Sequence, residues 1–428
     1  MQSIDLSLYP EISLPRFVKV KQHFNKAKVV DVATEISTKM AKHTCNLEGK
    51  RIAVGVGSRG ISNIDTITKT VIEELKQAGA HPFIVPAMGS HGGATPEGQK
   101  AVLEAYGITE QTMGVYIDAS MEVEMIGTTE DGLPVYVSKS ALEADGIVIL
   151  PRIKAHTAFR GEIESGICKM LVIGLGKQRG TDFVHQQGFG QFAKIIPQMG
   201  RLIAQKTNIL FAVSMVENAY EETYKIEIIS QEDIIALETE KKLLQESKDM
   251  MGKILFDKFD VLIIEQIGKN ISGDGQDPNV TGLFVTKHAS GGPDIQSCAI
   301  LDLTEESHGN ANGMGAADVI TRKLFDKIDF VSTYTNAFTS TESIPVKIPM
   351  VASSAEDAVR IAVKLCNGVG SLQHKIVWIK NTIELDEIMI SEPLLHEAKK
   401  HPSVEVITDP EAILFSNGEP NFTWKISI

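Results

Sequence analysis

Little in this sequence would mark a secreted, membrane-bound or nucleic-acid-binding protein. Cysteine is scarce: four occur among 428 residues, at 45, 168, 298 and 366. None forms a C-x-x-C pair, so neither a zinc ribbon nor a thioredoxin-like motif is present, and reduced thiols in a cytoplasmic protein are expected. No apolar run is long enough to span a bilayer. The opening MQSIDLSLYPEISLP carries two acids and no apolar stretch, so no secretory signal is expected. The net charge of -13 argues against a basic stripe, so neither nucleic acid nor an acidic membrane surface is expected as a partner. A small anionic substrate remains compatible, because local Lys and Arg set the field inside a cleft. The H-E-x-x-H, Walker A and EF-hand patterns are all missing.

What is present is an ordinary globular composition, 43% hydrophobic and 23% charged, in a chain long enough for two domains. Apolar β-type runs alternate with helical patterns: strands at Arg51–Gly57, Pro82–Val85, Gly146–Leu150 and Asn208–Val216, helices at Asn63–Ala78 and Thr95–Tyr106. Asn63 and Thr95 are the expected helix caps. Ser230–Met251 reads as one long amphipathic helix between domains. A second α/β set follows, with strands at Phe259–Glu265, Cys298–Leu303 and Lys375–Ile379 and a helix at Ala355–Cys366. The expectation is two α/β domains, 1–252 and 253–428, with mainly parallel sheets and an active-site cleft between them. Ligands of such sheets bind beyond the carboxyl ends of strands, where several glycine-rich loops fall.

Those loops hold the candidate chemistry, and each candidate has a bland alternative. Gly55-Val56-Gly57-Ser58-Arg59-Gly60 matches G-x-G-x-x-G, but no acid follows the next strand, so a turn needing glycine torsions outweighs dinucleotide binding. Arg59, beside a helix start, suits an anion; the alternative is a surface arginine. His91 is flanked by Gly89, Gly92 and Gly93, and its imidazole titrates near neutrality; the alternative is a solvent-bonded loop histidine. His156 lies among Arg152, Lys154 and Arg160, which favours anions. Lys169 enters an apolar segment, where an amine needs a counter-charge or a covalent fate, unless its stem packs and its amine snorkels. His185 can give a metal one ligand, so most of the others would have to come from a cofactor. Lys269, in the loop Gly268–Gly282, is a candidate cation for phosphate or carboxylate, and His308 is a weaker candidate at the cleft rim.

Taken in order, Arg59, His91, His156, Lys169 and His185 resemble the lactate racemase family, which uses the nickel-pincer nucleotide. The ordered set carries the resemblance; the sixteen-residue interval from Lys169 to His185 and the 32 residues between Arg59 and His91 both fit the family's spacing. The resemblance implies that Lys169 is the covalent tether and His185 the one protein ligand to nickel. It implies that His91 and His156 are the acid/base pair, and that Arg59 and Lys269 hold anionic groups of substrate or cofactor. The implied activity is racemisation or epimerisation of a 2-hydroxy acid by reversible hydride transfer, with separate cofactor-synthesis enzymes as partners. Three departures stand out: thirteen positions separate His156 from Lys169, Gly166-Ile167-Cys168 precedes the tether, and Arg160 with Glu162 and Glu164 adds charges near the site. These fit a substrate other than lactate, larger or more polar, such as a sugar acid, and leave open a cofactor held without the covalent bond. Two further readings stay open: a nicotinamide-dependent 2-hydroxy acid dehydrogenase, and a non-catalytic protein that binds a nucleotide or metal.

Overall fold

A computed structural model describes residues 12–58, 60–422 and 424. Two compact units emerge: one formed by Lys26–Met251, the other by Gly252 onward together with the amino-terminal segment up to Asn25. The amino-terminal strand β1 (Phe17–Gln22) is nearly all buried. It pairs antiparallel with Glu387–Ser391 on one side and Val404–Val406 on the other. The expected first domain of residues 1–252 is therefore corrected at its start. This strand closes a sheet made of chain nearly four hundred residues away, which no local pattern discloses.

The Lys26–Met251 unit is built on five strands: β2 (Arg51–Val56), β3 (His81–Pro86), β4 (Gly146–Leu150), β5 (Ile209–Glu217) and β6 (Thr223–Ser230). Their order is β3-β2-β4-β5-β6, parallel except for the last pair. GIVIL of β4 is buried along its whole length, as a strand covered on both faces must be. Two apolar layers flank the sheet, one through Ile149, Leu171 and Phe192, the other through Val54, Ile67 and Val148. From β2 the chain moves first to β3 and then returns to β4 on the other side, so the loops after β2 and β4 diverge. That divergence opens the crevice at which open α/β sheets bind ligands.

Several local expectations need correction. Asn63 does not cap helix α1 (Ile64–Gln77) with its side chain; its amide donates to Ser62 and Thr223 instead. Thr95 does cap helix α2 (Pro96–Glu104), accepting from the Gly98 N–H. None of Gly55, Gly57 and Gly60 has a positive φ, so the glycine run is not a torsional turn. Gly55 lies within β2, where a Cβ would press on Ile149 at 3.0 Å, so closeness to β4 is what demands glycine there. Ser230–Met251 is two helices, Gln231–Ala236 and Glu238–Met250, broken at Leu237 with φ 69. The second of these belongs to the first unit rather than linking domains, since Leu243 and Leu244 sit in that unit's core.

The other unit carries an eight-stranded sheet. Val261–Ile267, Ser297–Leu303, Val319–Thr321, Met350–Ala352 and Ile376–Ile379 run parallel, and Glu387–Ser391, β1 and Val404–Val406 complete it antiparallel. Among the described residues, no helix is long and apolar enough to cross a membrane.

Candidate active site

The loop after β4 doubles back on itself. Lys154 and Ser165 exchange backbone hydrogen bonds at 3.1 and 3.2 Å. Inside this excursion the buried Glu164 carboxylate accepts the His156 backbone N–H at 2.7 Å and the Lys248 amine at 2.7 Å. A carboxylate buried with such partners is satisfied, and it fixes the backbone that presents His156.

The chain then enters a short helix, α3 (Ile167–Lys169), continues as a π-helical turn over Met170–Gly174, and starts helix α4 (Lys177–Gln186). A wider turn of this kind is frequent at functional sites. It brings Lys169 against the preceding loop: Lys169 Nζ lies 2.8 Å from His156 Nε2. The Ala158 N–H donates to His156 Nδ1 at 3.0 Å. A neutral His156 ring in this pose therefore carries its proton on Nε2 and offers it to the lysine nitrogen. Burial, and then the neighbouring Lys169, Lys154, His185 and Arg160, hold the His156 imidazole well below the usual histidine range.

His185 lies near the end of α4. Its Nδ1–H donates to the Thr181 carbonyl at 2.8 Å, so Nε2 carries the lone pair. Fixing one ring nitrogen on a carbonyl is the usual way a metal-binding histidine is oriented. Burial lowers its basicity, only partly offset by the Thr181 bond. Helix α5 (Phe189–Lys206) backs both imidazoles with aromatic rings. Phe189 lies 6.1 Å from the His156 ring and 5.8 Å from the His185 ring, and Phe192 lies 5.3 Å from His185. α5 reaches this position because Gly200 lets it pack directly on Cys168, where a Cβ would come within 2.8 Å of the thiol.

His91 is exposed, in the loop after β3, and its Nδ1 is paired with the Ser58 hydroxyl at the end of β2. That loop meets the Met170–Gly174 turn at Gly89, whose N–H donates to the Gly174 carbonyl at 3.2 Å. Four of the six residues singled out by sequence, His91, His156, Lys169 and His185, thus belong to one unit, and the last three are brought together in space. Lys269 belongs to the other unit, where its amine donates to the Gly273 carbonyl and to Asn336. Arg59 lies outside the described residues. Among the described residues, no group of three or more His, Cys, Asp or Glu side chains is arranged to hold a metal ion. His185 would thus be a single protein donor, which suits a metal that arrives with its other ligands.

Sequence reasoning names Glu164 only as a charge near the site and passes over Lys177 and Glu240, yet all three support it. Glu164 sits between Ile163 and Ser165 without a distinguishing spacing. Lys177 shares the glycine-rich run GLGKQRG with Arg179, and nothing in the run sets it apart. Glu240, on the helix Glu238–Met250, lies under the amino end of α3, accepting the Cys168 N–H at 3.3 Å. Burial pushes its carboxyl up to about 7. Cys168 itself is buried, and its thiol is pushed well above the usual range by that burial and by Glu240.

An acid whose folded pKa is raised stabilises the fold fully below its unfolded value, and that stability is lost as pH rises through the folded value. Glu240 goes from 4.5 to about 7, so the protein should lose about 3 kcal/mol from this group between pH 5 and pH 8. Glu240→Gln should remove that slope. Urea unfolding of both proteins at the two pH values measures it, and equal slopes would contradict the assignment.

Residues 11–191 match the family model described as the lactate racemase N-terminal domain. Among solved structures, the lactate racemase apoprotein from Thermoanaerobacterium thermosaccharolyticum aligns at 14% identity with a TM-score of 0.49, covering 86% of this chain and 99% of that one. No curated protein matches the chain.

Proposed function

We propose that this chain, whose residues 11–191 match the lactate racemase N-terminal domain, is a racemase or epimerase of a 2-hydroxy acid that works with a nickel-pincer nucleotide. The observation that carries this reading is the juxtaposition of Lys169 Nζ and His156 Nε2 at 2.8 Å, beside an imidazole whose Nδ1–H is committed to Thr181. A primary amine and an oriented lone-pair nitrogen are the two donors that such a group requires. Lys169 would hold it covalently and His185 Nε2 would bind its metal. When bound, the group supplies a hydride acceptor, which the chain's own side chains lack.

The remaining work falls to this chain's residues. A 2-hydroxy acid loses its α-hydrogen as a proton only with difficulty, because charge would build beside a carboxylate. Loss as hydride leaves a neutral carbonyl, provided the hydroxyl proton is removed as well. His91 and His156 are assigned to take and return that proton. Such assistance contributes about 10²–10⁴-fold. For His156 to accept on Nε2, the ring must adopt the tautomer with Nδ1 protonated and give up the Ala158 hydrogen bond. One hydrogen bond contributes about 1 kcal/mol, small beside that gain. Phe189 and Phe192 exclude water from the imidazoles they back. Arg59 is assigned to the substrate carboxylate or a cofactor phosphate, and Lys269 carries the same assignment as an anion-holding cation. A cytoplasmic location and a supply of cofactor from separate synthesis enzymes complete the reading.

The test is protein made alongside the cofactor-synthesis enzymes, assayed by intact mass, nickel content and loss of optical rotation across a panel of 2-hydroxy acids without added NAD. The expected result is a mass increment on Lys169, bound nickel and interconversion of one substrate class, with sugar acids included in the panel. Absence of both increment and nickel, or activity that requires NAD, overturns the reading.

A further inference from the structure

We propose that Lys177 and Gln99 are positioning residues that hold the His91 loop in register with the segment carrying Lys169 and His185; this rests on the racemase or epimerase reading above. Lys177 is wholly buried and opens α4 with a left-handed backbone, φ 51. Both features are costly for a lysine, and neither is needed to start a helix. Its amine donates to the Pro86 carbonyl at 2.7 Å and to Gln99 Oε1 at 3.1 Å. Gln99, also wholly buried, then donates through Nε2 to the Gly89 carbonyl at 2.9 Å and the His91 carbonyl at 3.3 Å. The amide orientation is dictated by its partners. Flipped, its N–H groups would face the amine and its oxygen would face two carbonyls.

Three carbonyls, at Pro86 at the end of β3 and at Gly89 and His91 in the loop that follows, are thus gathered by two side chains. The lysine lies eight residues beyond Lys169 and eight before His185. A second brace acts at the same place. Gly89 has φ 61, and a Cβ there would meet Thr181 Oγ1 at 2.5 Å and Ile173 at 3.2 Å. Thr181 is the residue whose carbonyl orients His185. The loop bearing one proton-transfer histidine therefore rests on the backbone that aims the metal-binding one. Burial lowers Lys177 to about 8. A neutral amine still has two N–H groups for its two acceptors, so the clamp persists across neutral pH.

An apolar pair of similar volume would fill this space without burying an amine. The polar pair accomplishes what packing cannot, namely fixing the loop's carbonyls by direction. Gln99→Glu separates the two roles: it keeps the acceptor for Lys177 and the shape, and removes both donors to the loop. A double variant, Lys177→Met with Gln99→Leu, replaces the clamp by an apolar filler and decides the matter should Gln99→Glu fail to fold. In protein made with the cofactor-synthesis enzymes, both variants should keep the Lys169 increment and nickel. They should lose about 10–100-fold in kcat with KM within threefold, as expected when a proton-transfer group is displaced by about 1 Å. In unloaded protein, carbethoxylation of His91 by diethyl pyrocarbonate, read by mass spectrometry, should change at least threefold while His156 is unaffected. Wild-type kcat together with wild-type His91 labelling overturns the proposal. A loaded wild-type protein that interconverts no enantiomers sinks the functional reading instead, and the His91 labelling still reports on the clamp.

Discussion

Lys169→Ala, made alongside the cofactor-synthesis enzymes, is expected to carry neither the covalent increment nor activity. The loss should be on the order of 10³-fold or more, as when one member of a group acting as a unit is removed. The argument is chemical. His156 offers an N–H to the Lys169 nitrogen at 2.8 Å because its other ring nitrogen is occupied by the Ala158 N–H. A primary amine attacks an acyl carbon in its unprotonated form, and His156 is the group placed to exchange a proton with it. Lys169→Arg is the sharper control. It keeps a cation beside His156 but presents no nucleophilic amine at neutral pH. If Lys169 serves only as a charge, the arginine variant retains activity and the tether assignment fails. If Lys169 is the tether, both variants are inactive and both lack the increment by intact mass.

His156→Gln should separate binding from chemistry. The variant should still take up the cofactor and nickel, since Lys169 and His185 remain, while kcat falls by about 10²–10⁴-fold. A second readout comes from titration. His156 is held below its ordinary value of 6.5 by burial first and by the Lys169 charge second. Acylation of Lys169 removes that charge. Histidine resonances should therefore show His156 titrating well below the ordinary histidine range in unloaded protein, and shifted part of the way back toward it once loaded. The sign for stability follows: a histidine with a depressed folded pKa favours the fold above its unfolded value, and that contribution is lost as pH falls. Identical titration of His156 in loaded and unloaded protein would show that Lys169 is not modified beside it.

The fold was legible to the extent that period and length carry it. GIVIL, RIAVGVG and NILFAVSMV could only be covered strands, and they are β4, β2 and β5 within a residue or two at each end. Thr95 was recognisable as a cap because Thr-Pro at a helix start has a local mechanism. The misses share a different cause. Phe17–Gln22 finds its partners far along the chain, and Leu237 breaks a helix whose composition is continuous. Register and torsion at such points answer to tertiary contacts, which outweigh propensity. The same divide runs through the site. Glycine-flanked His91 and the spacing of Lys169 and His185 stood out as patterns. Glu240, Lys177 and Gln99 are defined by what they touch across the fold, and nothing in their neighbours on the chain announces it; Glu164 is visible in the sequence as a charge, but not as the carboxylate that holds the His156 backbone.

The order of chemically able side chains along the chain was thus settled by the sequence alone, because imidazoles and amines among glycines can be read without coordinates. Which of them meet, and in what state, was decided only by folding. His156 faces Lys169 because a π-helical turn and a buried carboxylate at Glu164 bring two segments together. The proton sits on Nε2 because one backbone N–H, that of Ala158, takes the other nitrogen. Protonation and orientation depend on the partners within a few ångströms, and those partners come from strands, loops and helices far apart in the chain.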